Sequence, residues 1–248
     1  MSEKFRDFLK SSCWKTIDFS TTDQSRGIKP PPVEKPCNPE DRRIDLIKPG
    51  DWKLIHEVSV ETAIAQRKSR RSYTEVAIKL EELSFLLWAT QGLRGKRPVA
   101  RNYRTVPSAG CRHALETYIM AFRVEGVPKA IYRYLPLSHQ LVEVVKYQDL
   151  EGLLIQAALD QSFAGKSAVT FIWTTLPART EWRYDRASYK LIALDAGHVC
   201  QNLYLACEAI GAGTCAIAEY DQEFADKILG IDGVEEFTIY MASVGKVQ

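Results

Sequence analysis

The sequence predicts an α+β domain that follows an extended N-terminal arm. Three observations carry this prediction. A twenty-residue helix that is apolar on nearly every face is predicted at 191–210. Segments with period-two alternation predict strands elsewhere, and two of them flank a turn as in an antiparallel hairpin. Helices and strands therefore mix along one chain without the regular strand–helix alternation of a parallel sheet.

Composition excludes several classes of protein. Of the 248 residues, 46% are hydrophobic and 26% are charged, which is ordinary for a soluble globular protein. The net charge of +2 gives no electrostatic case for binding nucleic acid. No apolar run reaches the ~18 residues that would span a bilayer, and the first residues lack the apolar core of a signal peptide. We therefore expect a cytoplasmic protein with no membrane partner.

The cysteines and histidines form no pattern that binds metal. The six cysteines include no Cys-x-x-Cys pair, and Cys200 and Cys207 fall in the apolar helix, where a free thiol behaves as a small hydrophobe. The four histidines lack the spacing of a zinc or iron site. We expect neither a disulfide framework nor a metal.

Residues 1–58 are predicted to form an extended arm outside the domain. After a short helix at 5–9, five prolines between positions 30 and 39 exclude both a helix and a central strand. Two interpretations stay open. The segment is a disordered leader, or it is an arm over a partner subunit that Trp14, Phe19 and Trp52 help to anchor.

The domain itself is predicted to span residues 59–248. A short helix at 59–65 leads into a basic cluster at 67–73, and an amphipathic helix at 80–91 ends at Gly92. Strands are predicted at 115–124 and 168–175, a hairpin at 131–134 and 141–145, and a helix at 150–159. The long helix ends at Gly211 and Gly213. A helix at 221–229, with Asp221 as N-cap and Gly230 as stop, and a strand at 237–244 complete the domain.

The basic cluster is the first of three segments with candidate chemistry. It places four cations within five residues. A solvated surface without a ligand would explain it, but Ser69 among guanidinium groups also suits a phosphate. The second segment, at 107–110, is a tight loop with exposed backbone amides, which a plain connection would also explain. The third, at 214–219, has no long side chain before Glu219, so its backbone could approach a flat ligand. An ordinary core helix and turn would explain it too.

Five segments share an order and spacing that is typical of one family. They are RKSRRSY at 67–73, LEELSFLLWATQG at 80–92, PSAG at 107–110 with LETY at 115–118, YRY at 132–134 with His139 and Leu141, and LDAGH at 194–198 with QNL at 201–203. Over residues 60–245 this pattern resembles the nitroreductase-like flavoproteins, and most closely their SagB-type branch, the azoline dehydrogenase-like proteins.

The resemblance implies a nitroreductase-like fold, in which a central, mostly antiparallel sheet is flanked by helices and the long helix is buried at a dimer interface. It also implies a homodimer with two FMN sites at that interface. NADH or NADPH would be the electron donor, and the substrate would be a small molecule or a peptide.

The resemblance assigns the cofactor-binding residues by position. Arg67 and Ser69, with Lys68 between them, would hold the FMN phosphate. Arg71 would face the N1/O2 edge of the flavin ring, where a guanidinium stabilises the negative charge of the reduced state. The loop that would approach the ring from the other subunit consists of Pro107, Ser108, Ala109 and Gly110. The residues expected beside N5 and O4 are Ile217, Ala218 and Glu219.

The sequence departs from the family pattern at four places. Cys111 stands where relatives often carry Asn, and Glu219 stands where many carry Gly, so that a carboxylate would hang near the flavin. The chain stops soon after Lys246, so either this lysine replaces the further basic ligands of many relatives or phosphate binding is weaker. Arg183-Tyr184 occupies the place of a Lys-Tyr pair of azoline dehydrogenases, and an arginine cannot accept a proton.

We therefore expect an FMN-dependent oxidoreductase with Arg71, Glu219 and Tyr184 as catalytic residues. The first version reduces a nitro, quinone or enone group with NAD(P)H. The second oxidises azolines in a modified peptide, with Tyr184 or Glu219 as the base. A different class of protein also stays open, namely a flavin-binding subunit of a peptide-modifying complex without its own turnover.

Overall fold

A seven-stranded antiparallel sheet forms the centre of the computed structural model, which describes residues 6–95 and 103–248. Each neighbouring pair of strands is antiparallel, in the order β1-β4-β3-β2-β5-β7-β6. The antiparallel sheet of the predicted fold class is thus confirmed. The strands are β1 Arg43–Asp45, β2 Leu115–Ala121, β3 Ala130–Leu135, β4 Gln140–Val145, β5 Val169–Thr175, β6 Ala212–Ile217 and β7 Phe237–Lys246.

Helices cover both faces of this sheet. Because successive side chains of a strand point to opposite faces, Phe171 and Trp173 of β5 pack with α2 and α6, whereas Ile172 packs with α3 and α7. No helix among the described residues is long and apolar enough to cross a membrane. The helices are α1 Val60–Gln66, α2 Leu80–Gln91, α3 Leu150–Ala157, α4 Ser162–Gly165, α5 Ala178–Tyr184, α6 Ser188–Glu208 and α7 Gln222–Leu229.

Most predicted elements are present, with ends shifted by up to three residues. The predicted N-cap of α7 is confirmed, because the Asp221 side chain accepts a hydrogen bond from Phe224 N, and Gly230 ends this helix with a left-handed φ of 69°. The short helix predicted at 5–9 is a 3-10 helix, Asp7–Leu9, and its residue 5 lies outside the described residues.

Four of these helices and strands were not predicted, namely β1, α4, α5 and β6. Strand β6 contains only small residues before Ile217, so neither bulk nor alternation marks it as a strand. It is a strand because it pairs with β7 along its whole length, from Ala212 opposite Lys246 to Ile217 opposite Met241. Tertiary pairing, rather than local propensity, therefore builds this edge of the sheet.

Helix α6 packs on the sheet with one face and leaves its other face exposed on this subunit. Its inner face, which includes Ile192, Val199 and Leu203, is buried against the sheet and α2. The outer face points away from the sheet, and there Tyr189 and Leu194 are 51% and 52% exposed. Along the helix this exposed stripe comprises Tyr189, Ala193, Leu194, Gly197, His198 and Gln201.

The N-terminal arm packs on its own subunit. Strand β1 pairs with β4 at the edge of the sheet. Before β1 in the chain, the carbonyls of Lys35 and Pro36 accept hydrogen bonds from Arg133 at 2.7 Å and 3.0 Å. The Val33 carbonyl accepts one from Arg104 at 2.9 Å. Proline-rich backbone, which cannot form a regular ladder, is thus held by arginine side chains instead.

A buried ionic network lies beneath the arm. Glu116 accepts hydrogen bonds from Arg179 at 2.5 Å, Arg133 at 3.2 Å and the Lys35 amide at 2.9 Å. Burial alone would raise the pKa of Glu116, but Arg179 and Arg133 outweigh it and hold the pKa below its usual value. Arg179 also donates to the carbonyl of His113, so the network supports the loop that follows Pro107.

Candidate active site

The basic segment 67–73 runs along the edge strand β6. Arg67 caps the end of α1 by donating its amide to the carbonyl of Ala63 at 3.0 Å. Ser69 then forms a parallel bridge with Thr214, and the Arg70 amide donates to the Thr214 carbonyl at 2.9 Å. Close approach requires Gly213, since a Cβ there would lie 2.3 Å from Arg70 Cγ. The glycine in β6 thus lets the basic segment lie against the sheet.

Tyr204 of α6 joins this segment to the core. Its hydroxyl lies 2.9 Å from Ser69 Oγ and accepts a hydrogen bond from the Ala216 amide at 3.0 Å. The Arg67 guanidinium lies over the Tyr204 ring, 5.5 Å from its centroid. One tyrosine therefore positions two of the predicted phosphate ligands.

The junction has the composition of an anion site. Within the described residues, none of the four cations at 67–71 forms an ion pair with a carboxylate. Beside Ser69, the buried Thr214 hydroxyl has no hydrogen-bond partner among the residues described. A buried hydroxyl without a partner is unfavourable by ~1–3 kcal/mol, so a bound acceptor would relieve it.

The Arg71 side chain and the Glu219 carbonyl both contact the short segment 161–163. The Arg71 guanidinium lies 5.7 Å from the centroid of the Phe163 ring. Two residues earlier, Gln161 Nε2 donates to the Glu219 carbonyl at 2.9 Å. The Glu219 side chain is exposed just beyond the end of β6, as is Ala218, whereas Ile217 is buried. The structure thus places the predicted N5/O4 segment and Arg71 on the same side of the domain.

The predicted loop at 107–110 is fixed by a carboxylate of α6. Asp195 accepts hydrogen bonds from Ser108 Oγ at 2.6 Å and from the Ala109 amide at 3.2 Å. Ser108 Oγ in turn accepts from the His113 amide at 2.9 Å. Burial raises the pKa of Asp195, and the bonds from Ser108 and Ala109 oppose that rise. Asp195 therefore sets the shape of the loop.

Tyr184 lies against this loop. At Gly110, where φ is +57°, a Cβ would lie 2.5 Å from Tyr184 Oη and 3.0 Å from Arg183 Cδ. Gly110 thus supplies both a left-handed backbone and the room for these two side chains. Cys111 follows with a φ of 56°, and its Sγ lies 3.3 Å from His113 Nε2.

The Lys246 ammonium group forms hydrogen bonds with residues outside the basic segment 67–73. Its Nζ donates to Glu82 Oε1 at 2.6 Å and to the carbonyl of Ile210. A phosphate role for Lys246 would require the ammonium group to leave both partners. In this structure Lys246 instead joins the end of β7 to the start of α2.

The predicted site residues therefore form two groups on one subunit. Arg67 to Arg71 and Ile217 to Glu219 gather around β6, while the 107–110 loop and Tyr184 lie by the first half of α6. Asp195 and Tyr204, which hold the two groups, are nine residues apart, or about 13 Å along the helix. Three supporting residues had no assigned role in the prediction: Asp195, Tyr204 and Thr214. Polar residues within an otherwise apolar helix were the signal for the first two.

Known oxidoreductases resemble this chain in sequence and in fold. The sequence profile of the nitroreductase family matches residues 64–246. A Methanocaldococcus jannaschii protein named as a nitroreductase is 31% identical over 193 residues, which make up 77% of this chain and 93% of that protein. The chain therefore belongs to the nitroreductase family, as the resemblance predicted.

Other similarities are more distant. The trifolitoxin-processing protein TfxB of Rhizobium leguminosarum bv. trifolii is 26% identical over 134 residues, which make up 52% of this chain and 36% of TfxB. A Ralstonia eutropha JMP134 protein described as a nitroreductase has a TM-score of 0.69 at 20% identity, over 89% of this chain and 98% of that chain. A chain of the E. coli microcin synthetase McbBCD complex, solved with truncated pro-MccB17 bound, has a TM-score of 0.63 at 18% identity, over 82% of this chain and 77% of that chain. The structural likenesses confirm the nitroreductase-like fold.

We predict that Asp195→Ala lowers the free energy of unfolding by about 1–3 kcal/mol, because Ser108 Oγ and the Ala109 amide lose their acceptor. Hydrogen exchange at the Ala109 amide should accelerate as well. Urea unfolding and exchange mass spectrometry would measure the two effects. The control is Lys227→Ala, an exposed position on helix α7. Equal stability and equal exchange in the two variants would contradict the role of Asp195.

Proposed function

We propose that this protein is an FMN-dependent oxidoreductase that carries two electrons from NADH or NADPH to a small electrophilic acceptor such as a nitro, quinone or enone group. The observation that carries the proposal is the junction at β6. There Arg67 and Ser69 both contact Tyr204, beside the Thr214 hydroxyl, which has no hydrogen-bond partner among the described residues. Membership of the nitroreductase family supports the same activity.

The residues at this junction fit an FMN phosphate. Arg67 and Lys68 supply positive charge, and the Ser69 hydroxyl supplies a hydrogen bond from a position that Tyr204 fixes. When bound, FMN provides a two-electron carrier that accepts hydride from a nicotinamide and passes the electrons on. In this proposal Arg71 stabilises negative charge at the N1/O2 edge of the ring.

Two further groups have roles in the proposal. The residues after β6 present a small side chain at Ala218, so their backbone can lie close to the edge of a flat ring. The loop at 107–110 lies on the other side of the ring, contributed by the second subunit. Tyr184 and Glu219 are the side chains that could hold or move a proton for the acceptor, since both lie beside these segments.

The exposed stripe of α6 is, we infer, the interface of a homodimer. Tyr189 and Leu194 are half exposed on it, and Val60 and Ile64 of α1 are 72% and 57% exposed. Exposed apolar surface on this scale is typical of an interface. A cytoplasmic location is part of the same proposal, because NADH and NADPH are available there and no disulfide joins the cysteines.

We predict a dimer of 28.1 kDa chains in light scattering at micromolar concentration. Leu194→Glu places a charge in the proposed interface and should yield monomers, because an unpaired charge is costly to bury. Val234→Glu, at a loop position that is 74% exposed, is the matched control and should remain dimeric. A wild-type protein that scatters as one chain would refute the homodimer.

We predict that the purified protein is yellow and that Arg67→Ala and Arg71→Ala have different effects. Arg67→Ala should weaken FMN binding about tenfold or more, because it removes a charge-assisted contact to the phosphate. Arg71→Ala should lower the reduction potential, since its charge acts mainly on the reduced state. FMN titration and potentiometry measure the two quantities, and Arg26→Ala in the arm is the control. Identical losses in both assays would show that these roles are wrong.

A second candidate function is the oxidation of azolines in a modified peptide. The similarities to TfxB and to a chain of the microcin synthetase complex favour it. This reaction removes a proton from carbon as hydride leaves, and Arg183 cannot accept that proton. Tyr184 and Glu219 are the remaining candidates for the base. A flavin-binding subunit without turnover is the third possibility, and activity assays separate all three.

We predict that the FMN-loaded protein oxidises NADH or NADPH when a quinone or nitroarene is present, and does not convert a thiazoline peptide rapidly. Ultraviolet absorbance at the nicotinamide band follows the first reaction. Mass spectrometry in air, with oxygen as the terminal oxidant, follows the loss of two hydrogens in the second. Rapid turnover of the peptide alone would establish azoline oxidation, with Glu219→Gln as the next variant. Bound FMN without turnover of either substrate would indicate a non-catalytic subunit.

A further inference from the structure

The exposed side chain of Arg183 lies beside the 107–110 loop. In the last turn of α5, its side chain packs toward Gly110, where a Cβ would lie 3.0 Å from Arg183 Cδ. The guanidinium sits over the Tyr184 ring at 5.4 Å from the centroid. Within the described ranges, 6–95 and 103–248, the guanidinium forms no ion pair or hydrogen bond. The aromatic ring therefore holds a positive charge next to the loop.

A second guanidinium stands next to it. Arg112 donates from Nε to the Arg179 carbonyl at 2.8 Å, and its guanidinium lies 4.6 Å from the centroid of the Trp182 ring. Its Nη2 is buried and has no hydrogen-bond partner in the part of the chain that the structure describes. Burial lowers the pKa of Arg112, and the charge of Arg183 adds to that effect. The rings of Trp182 and Tyr184 thus place two guanidinium groups near the end of α5.

Two neighbouring guanidinium groups favour a bound anion. Like charges repel, and a buried guanidinium N–H without an acceptor leaves a strong hydrogen bond unmade. The planar fork of arginine matches a carboxylate in two parallel hydrogen bonds. A solvated surface arginine would need no such ligand. Arg183 is exposed, but the Tyr184 ring and the space at Gly110 hold its guanidinium beside the loop that faces the flavin in the proposed function.

We propose that Arg183, with Arg112 beside it, binds a carboxylate of the electron acceptor, so that the enzyme selects acidic acceptors over neutral ones. The inference rests on the proposed function, because that function places the loop at the flavin. Arg183 acts as a specificity-determining residue. The Tyr184 ring sets the plane of its guanidinium, and Gly110 gives both side chains their space.

The test compares 4-nitrobenzoate with 4-nitrobenzyl alcohol as acceptors for the FMN-loaded enzyme. The ratio of their kcat/KM values should favour nitrobenzoate in the wild type. In Arg183→Gln the ratio should fall roughly five- to thirtyfold, mainly through the KM of nitrobenzoate. Arg183→Lys should recover part of it. Lys227→Gln removes an exposed cation from α7, on the opposite face of the sheet, and should leave the ratio unchanged.

An equilibrium measurement separates this inference from the proposed function. Benzoate titrated into the FMN-loaded protein by calorimetry should bind to the wild type and at least fivefold more weakly to Arg183→Gln. If neither nitro compound is reduced, the proposed function fails, and the benzoate titration still decides whether the anion site exists. Equal benzoate affinity in the two proteins, or an unchanged acceptor ratio in Arg183→Gln, would overturn the inference.

Discussion

Two buried polar groups on one helix organise this protein. The inner face of α6 packs on the sheet, so Asp195 and Tyr204 must find partners inside the fold rather than in water. Asp195 finds them in the 107–110 loop, and Tyr204 finds them in Ser69 and the backbone of β6. The need to satisfy two side chains therefore fixes both candidate flavin-binding segments to α6, the longest helix of the part of the chain that the structure describes.

This arrangement explains why the two groups of site residues lie apart on one subunit. Each end of the helix holds a different segment, and about 13 Å of helix separates their anchors. In a symmetric dimer, an interface repeats the same surface on both chains, so the loop of one subunit can face the basic segment of the other. The exposed stripe of α6, with Leu194 at its middle, supplies the surface on which that pairing is proposed.

Much of the fold could be predicted from the sequence, because its strongest signals are local. The apolar period of α2, the Asp221 cap and the alternating strands each depend on a few neighbouring residues. Strand β6 could not be predicted, since its small residues become a strand only against β7. For the site, the motif positions were predictable, whereas the support from Tyr204 and the pairing of Lys246 with Glu82 depend on contacts over 100 residues of chain. The position of Arg183 beside the 107–110 loop likewise follows only from three-dimensional packing.

The contacts that hold the N-terminal arm can form only in the order in which their residues are synthesised. Lys35 forms an ion pair with Glu236, 201 residues later in the chain. The carbonyls of Lys35 and Pro36 accept hydrogen bonds from Arg133. Arg133 is synthesised after the arm and Glu236 after Arg133, so the ion pair with Glu236 is the last of these contacts that a growing chain can make. Until then the Lys35 ammonium group stays solvated, which the polar composition of the segment permits. A growing chain that ends before Glu236 therefore lacks the ion pair between Lys35 and Glu236.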